Sequence, residues 1–186
     1  NVQDGFLDLS EIKTIQVARA AIERYKLRRN DVLLTEGGDL DKLGRGHVWR
    51  AEIEPCLHQN HVFAVRTKGE VLRPEFLALL TTSPYGRRYF LGCAKRTTNL
   101  ASINSTQVKQ FPVLLPPARE QDALTGLLAV WDRGIDLVSS RLEAARLHKG
   151  GLMQQLLTGR TRCKQHPRSG APLAELDLEP LARPFI

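Results

Sequence analysis

Between two apolar segments the chain carries "LLTEGGDLDKLGRGHVWR", Leu33 to Arg50, with four glycines, two aspartates, one lysine and two arginines. A loop of this composition could hold a metal ion, cradle a phosphate or reach toward a polymer, and residue spacing separates these roles. As a calcium loop, Asp39, Asp41 and Gly44 fall at positions one, three and six, but position twelve is Arg50, where a carboxylate is required. As a phosphate loop it lacks the Gly-Lys-Ser/Thr ending. As a dinucleotide fingerprint, Gly44-x-Gly46 is followed by Trp49 where the third glycine belongs. What remains is a flexible, Gly-rich excursion between two strands that presents Lys42, Arg45 and Arg50.

A second stretch, "CLHQNH", offers Cys56, His58 and His61, with Cys93 as a remote fourth ligand. Its C-x-H-x-x-H spacing matches no standard zinc site. His58, His61 and Asp39 likewise lack the paired carboxylates and lysine that hold magnesium at a scissile phosphate. No Ser/His/Asp arrangement stands out, so the expectation is neither a catalytic nor a metal site. Gln59 and Asn60 carry amides, which can pair bidentately with adenine in a major groove, and Asn99 offers a third.

Charge points toward a polyanion. Residues 1–117 hold 17 Lys/Arg against 12 Asp/Glu, and no acidic residue falls between Glu75 and Glu120. That interval contains Arg87, Arg88, Lys95, Arg96, Lys109 and Arg119. A single-sign stretch of this length favours nucleic acid, unless carboxylates from elsewhere in the fold neutralise it. Lys42, Arg45, Arg50, Arg87, Arg88, Lys95, Arg96 and Lys109 are expected to form one basic face. Lys95 and Arg96 are the leading candidates, because they enter the polar loop "TTNLASIN".

The elements that must position these side chains follow from periodicity. "IKTIQV", "DVLLT", "GHVWRA", "HVFAVR" and "FPVLL" read as short strands. Ala18–Tyr25, Pro74–Thr82 and "SPYGRRYFLGCA" read as helices, and "STQVK" as a single turn of one. After Pro117 the period changes. Leu124, Leu128, Trp131, Ile135, Val138, Leu142, Ala145, Lys149, Leu152 and Leu156 step by alternating fours and threes, and nine of these ten are apolar. A stripe sustained over more than four heptads is a coiled-coil seam, too long for the preceding domain to cover. Gly126 and Gly134 on this helix suggest close approach of a partner, and Gly150-Gly151 a loosening or kink near its end. The expected fold is α+β: a mixed small-sheet domain with short helices over 1–116, a long coiled-coil-forming helix over 117–159, and an extended tail over 160–186.

Several segments together resemble a known family. "LLTEGGDLDKLGRGHVWR…CLHQNHVFAVR", "PEFLALLTTSPYGRRYF", "KRTTNLASINSTQVKQFPVLLPPARE" and "LHKGGLMQQLLTGRTR" are similar to the specificity (S) subunit of bacterial and archaeal type I restriction–modification enzymes. The resemblance implies two target-recognition domains per subunit, each followed by a long helix, with the helices packed antiparallel as a spacer. This chain holds one domain and one helix and starts partway into the domain. It therefore reads as half a subunit, the C-terminal half, or as a half-length protein that pairs with itself. By this resemblance the partners are double-stranded DNA and the methyltransferase (modification) and restriction subunits. A second specificity half, or a second copy, would meet Leu124, Leu128, Trp131, Ile135, Val138, Leu142, Ala145 and Leu152. S-adenosylmethionine, ATP and magnesium would belong to the partner subunits, leaving no cofactor on this chain.

Two rivals remain open. A stand-alone nuclease or methyltransferase needs a catalytic motif, and "LLPPARE" has two prolines but no Asn or Asp before them and no aromatic after. A non-DNA coiled-coil adaptor leaves the acid-free stretch unexplained. No apolar run approaches the roughly 18 residues of a membrane span. Three widely spaced cysteines, Cys56, Cys93 and Cys163, fit a reducing cytoplasm.

Overall fold

The apolar run Val32-Leu33-Leu34 buries side chains on both faces of one strand, and the core is built around it. The computed structural model describes residues 1–97 and 100–162. Among these, strand β1 (Val32–Thr35) is central in a three-stranded antiparallel sheet. It pairs with β3 (Gly46–Val48) on one side and β4 (Val62–Val65) on the other. Successive residues of a strand face opposite ways. Val32 and Leu34 therefore join Val48, Leu77, Phe90 and Phe111 in the larger core, while Leu33 packs with Leu27 and Trp49 in the smaller one.

A second, smaller sheet has the order β2 (Gly37–Gly38), β6 (Ala101–Ser102), β5 (Lys95–Arg96), all antiparallel. Helix α1 (Arg19–Tyr25) precedes the first sheet, and α2 (Pro74–Thr82) packs against it. Proline at the first turn of α2 and again of α3 (Pro84–Cys93) costs nothing there, because that N–H has no helical partner. Helix α4 (Ser105–Lys109) starts with a capping box: Asn104 Oδ1 accepts from Gln107 N, and Gln107 Oε1 accepts from Asn104 N. Helix α5 runs unbroken from Ala118 to Leu157, about 60 Å at 1.5 Å per residue. By compactness the chain divides between Gly134 and Ile135, inside this helix.

The α+β class and the single long helix match the sequence reading. Two strands do not. "IKTIQV" is irregular and exposed, with Ile15 at 69%, because no neighbouring edge pairs with its alternating pattern. "FPVLL" also lies outside any ladder. Phe111 is buried and Val113 half-buried, so the alternation serves packing, and Pro112 has no N–H to offer a sheet. Its backbone is held instead by Tyr85, whose hydroxyl donates to Pro112 O at 2.7 Å. Gly150-Gly151 leave α5 helical. The tail from residue 163, with Cys163, and Asn99 lie outside the described residues.

Candidate nucleic-acid interface

The Gly-rich stretch is packed rather than loose. Leu43 is buried, and Gly44 has φ +64° with its Cα against the Phe90 ring, so any side chain there would collide with the core. A Cβ on Gly37 would lie 2.7 Å from Ala101 O. That closeness is what lets two strands of two residues each pair. The flexible excursion expected from composition is thus a loop folded over Phe90. Its Asp39–Lys42 segment is a 3-10 turn, closed by Lys42 N–H donating to Asp39 O at 2.8 Å. Lys42 also donates its ammonium to Asp39, and this hydrogen bond, with the ammonium's charge, holds the Asp39 carboxyl below the ordinary carboxylate value.

Register then places the rest. Lys95 faces Ser102, which faces Gly37; Arg96 faces Ala101, which faces Gly38. The two cations therefore stand two ladders, about 10 Å, from the Gly-rich loop. Both are exposed, and Arg96 Nη2 donates to Leu91 O. The Gln59–His61 turn joins the same end of β1, since Glu36 N–H donates to His61 O at 3.0 Å and His61 Nδ1 lies 2.7 Å from Glu36 Oε2. Gln59 and Asn60 are exposed, and neither amide side chain hydrogen-bonds to another described residue.

The remaining basic candidates are elsewhere. Arg50 follows β3 at the opposite end of β1, where it pairs with Glu75 at 2.6 Å and donates to Asn30 Oδ1 at 3.1 Å. Arg87 is paired with Asp4, a neutralising carboxylate supplied from outside the acid-free stretch. Arg88 and Lys109 are exposed on α3 and at the last turn of α4, and Arg45 is half-buried with a partner of its own. The basic side chains are thus spread over both ends of β1, whose four residues span about 13 Å.

The zinc-type side chains have separate partners. His58 Nδ1 sits 3.0 Å from Val62 O, His61 is on Glu36, and Cys93 Sγ is 3.6 Å from Phe90 O. Among the described residues no group of three or more His, Cys, Asp or Glu is placed to hold a metal ion.

On α5 the seam residues Leu128, Trp131, Ile135, Val138 and Leu142 are all exposed, Trp131 at 69% and Ile135 at 60%. Leu127, Val130 and Leu137, outside that seam, are exposed as well, so the apolar face is wider than one stripe. A Cβ added to Gly126 or Gly134 would meet nothing within 4 Å among the described residues, which leaves room for a close neighbour. One residue that sequence reasoning missed is Gln121, fully buried at the root of α5. Its Nε2 donates to Val71 O at 2.9 Å and Pro116 O at 2.8 Å, and its Oε1 accepts from Arg73 N at 2.8 Å. The signal was there: Gln121 continues the Leu124–Leu128 stripe backward by three, a polar residue on an apolar line.

Comparison with known proteins gives relatives of one kind. No family model matches the chain. Curated proteins do. It is 25% identical over 158 residues to the type I restriction enzyme MjaX specificity subunit of Methanocaldococcus jannaschii, covering 84% of this chain and 37% of that protein. It is 24% identical over 159 residues to the EcoKI specificity subunit of Escherichia coli K12, covering 84% and 34%. The chain is similar to type I specificity subunits over most of its length. A third, the StySPI specificity subunit of Salmonella potsdam, is 22% identical over 135 residues, 72% of this chain and 29% of that one. The chain spans about a third of the length of the curated specificity subunits it matches. Among the described residues no helix is long and apolar enough to cross a membrane.

Proposed function

We propose that the chain is a non-catalytic DNA-recognition half of a type I specificity subunit, working in the cytoplasm of a bacterium or archaeon. The observation that carries this reading is the Thr35 end of β1, where the Gln59–His61 turn presents two unengaged amides and the ladder from the Gly-rich loop leads, two strands away, to exposed Lys95 and Arg96. Cations hold phosphate, and amides can read base edges. The similarity to specificity subunits supports it. The domain would read one half of a bipartite site. Helix α5, with its wide exposed apolar face, would pack against a second specificity half or copy and recruit the modification and restriction subunits. Those subunits would bring S-adenosylmethionine, ATP and magnesium.

Duplex binding measured across a salt series tests the reading. Replacing Lys95 and Arg96 together with Ala should make the log–log slope shallower by about 1.8, at roughly 0.9 per lost phosphate contact. Gln59→Ala should instead relax preference at one base pair, by about 1–3 kcal/mol, with little change in slope. Binding that ignores salt, or a uniform loss over all sequences with Gln59→Ala, counts against these assignments.

A further inference from the structure

The other end of β1 carries a second concentration of arginines, which the reading above leaves unused. Asp31, fully buried just before β1, accepts from Arg66 Nε and Nη2 at 2.8 and 2.7 Å and from Arg28 N at 2.8 Å. Arg73, the residue before α2, is held in the same manner: Nε and Nη2 donate to Asp122 at 2.8 and 3.0 Å, and Nη1 to Gly69 O at 2.7 Å. A guanidinium gripped along its Nε–Nη2 edge is fixed in orientation and keeps protons on its far edge for another oxyanion.

These two fixed arginines and Arg29 line an open cavity of about 390 Å³, together with Asn30, Thr67 and Glu75. Arg29 has no carboxylate within ion-pair distance among the described residues; its Nη1 donates only to Arg50 O, at 3.1 Å. Glu75, the carboxylate on the wall, is neutralised by Arg50 at 2.6 Å. Thr67 Oγ1 and Asn30 Nδ2 make no hydrogen bond to a described residue, so both can turn toward a guest. Lys109 lies beside Arg66 and Thr67 on the adjoining cleft and extends the positive track. Structural ion pairing accounts for the Asp31 and Asp122 edges of Arg66 and Arg73. It does not account for three guanidiniums from three separate segments converging on one hollow.

We propose that this cavity seats a backbone phosphate of duplex DNA, held by Arg29, Arg66 and Arg73. The contact would position the domain on the duplex and carry no base information. It rests on the DNA-reading function proposed above, and free phosphate shares the same chemistry.

The test uses the full 186-residue chain with Arg29→Ala and Arg29→Lys, since Arg29 anchors no buried carboxylate. Duplex affinity is measured from 50 to 200 mM salt, and thermal stability with and without inorganic phosphate. Arg29→Ala should make the log–log slope shallower by about 0.9, so that the fourfold rise in salt weakens the wild type about 3.5-fold more than the variant. Arg29→Lys should keep the wild-type slope. If the wild type binds duplex and Arg29→Ala leaves the slope unchanged, the cavity assignment falls while the DNA-reading function stands. If inorganic phosphate stabilises the wild type but not Arg29→Ala, with duplex slopes equal, the site takes a free anion and the backbone contact is overturned. No duplex binding by the wild type even at 50 mM overturns both.

Discussion

His47 on β3 is the residue whose titration should show in stability. Burial pushes its imidazole below the ordinary value of 6.5, and Arg50 pushes the same way, while Glu52 and Asp132 pull back up. The sign follows from proton counting: between the folded and unfolded values the unfolded chain binds more protons, so acid favours unfolding. The stability that depends on a neutral His47 is complete above pH 6.5 and declines as pH falls from there toward the folded value, then levels. Urea midpoints of the wild type should therefore drop from pH 7.5 to 5.5, and His47→Gln should flatten that drop. Equal slopes in the two proteins would remove His47 as the cause. At this scale the sequence was informative about type and not about partner. Gln59 and Asn60 were legible as candidate amides, but that Arg87 meets Asp4, 83 positions away, follows only from tertiary packing.

Elements were legible where periodicity was long or punctuation strong. Pro74–Thr82 and the helix after Pro117 could be read because proline sets a first turn and because ten residues stepping by three and four define one face. The second sheet could not be read. Its strands are Gly-Gly, Ala-Ser and Lys-Arg, two residues each, too short for any period and created by contact with one another. The root of α5 was passed over for a different reason: Gln121 lies on the line of the apolar stripe, yet glutamine in a first turn normally faces water. Gln121 instead ties α5 to the loop before α2 through two hydrogen bonds, with Val71 O and Arg73 N, and closes a third onto Pro116 O at the helix's own entry. Leucine there would keep the volume and the helix propensity but strand two carbonyls and one N–H. At about 1 kcal/mol for each group left unpaired, Gln121→Leu should lower unfolding free energy by about 3 kcal/mol. Urea unfolding should show a lower midpoint with an unchanged slope. A loss under about 0.5 kcal/mol would mean that water replaces the amide and that the tie is incidental.

At the scale of the whole molecule, the exposed apolar face of α5 sets the problem that assembly must solve. Trp131, Ile135 and Val138 are each at least 60% exposed, and Leu127, Val130 and Leu137 widen the surface. A surface this apolar is an association site or an aggregation liability. An antiparallel pairing would bring Gly126 and Gly134, open in the isolated chain, to where two backbones can approach. Ile135 sits near the middle of α5, where desolvation by a partner would be most complete and truncation most costly. Ile135→Asp places an unpaired carboxylate in that seam, at a cost to association of several kcal/mol. In the isolated chain the same side chain is solvated, so the fold of residues 1–134 should be retained. The mutant should thus keep weak binding to a single DNA half-site while losing dimerisation or capture by a modification subunit. Sedimentation and methyl-transfer assays with that subunit separate the cases. A wild type that sediments as a monomer at high concentration removes self-pairing and leaves pairing with another half. An Ile135→Asp chain that matches wild type in both mass and recruitment would show that α5 spaces nothing.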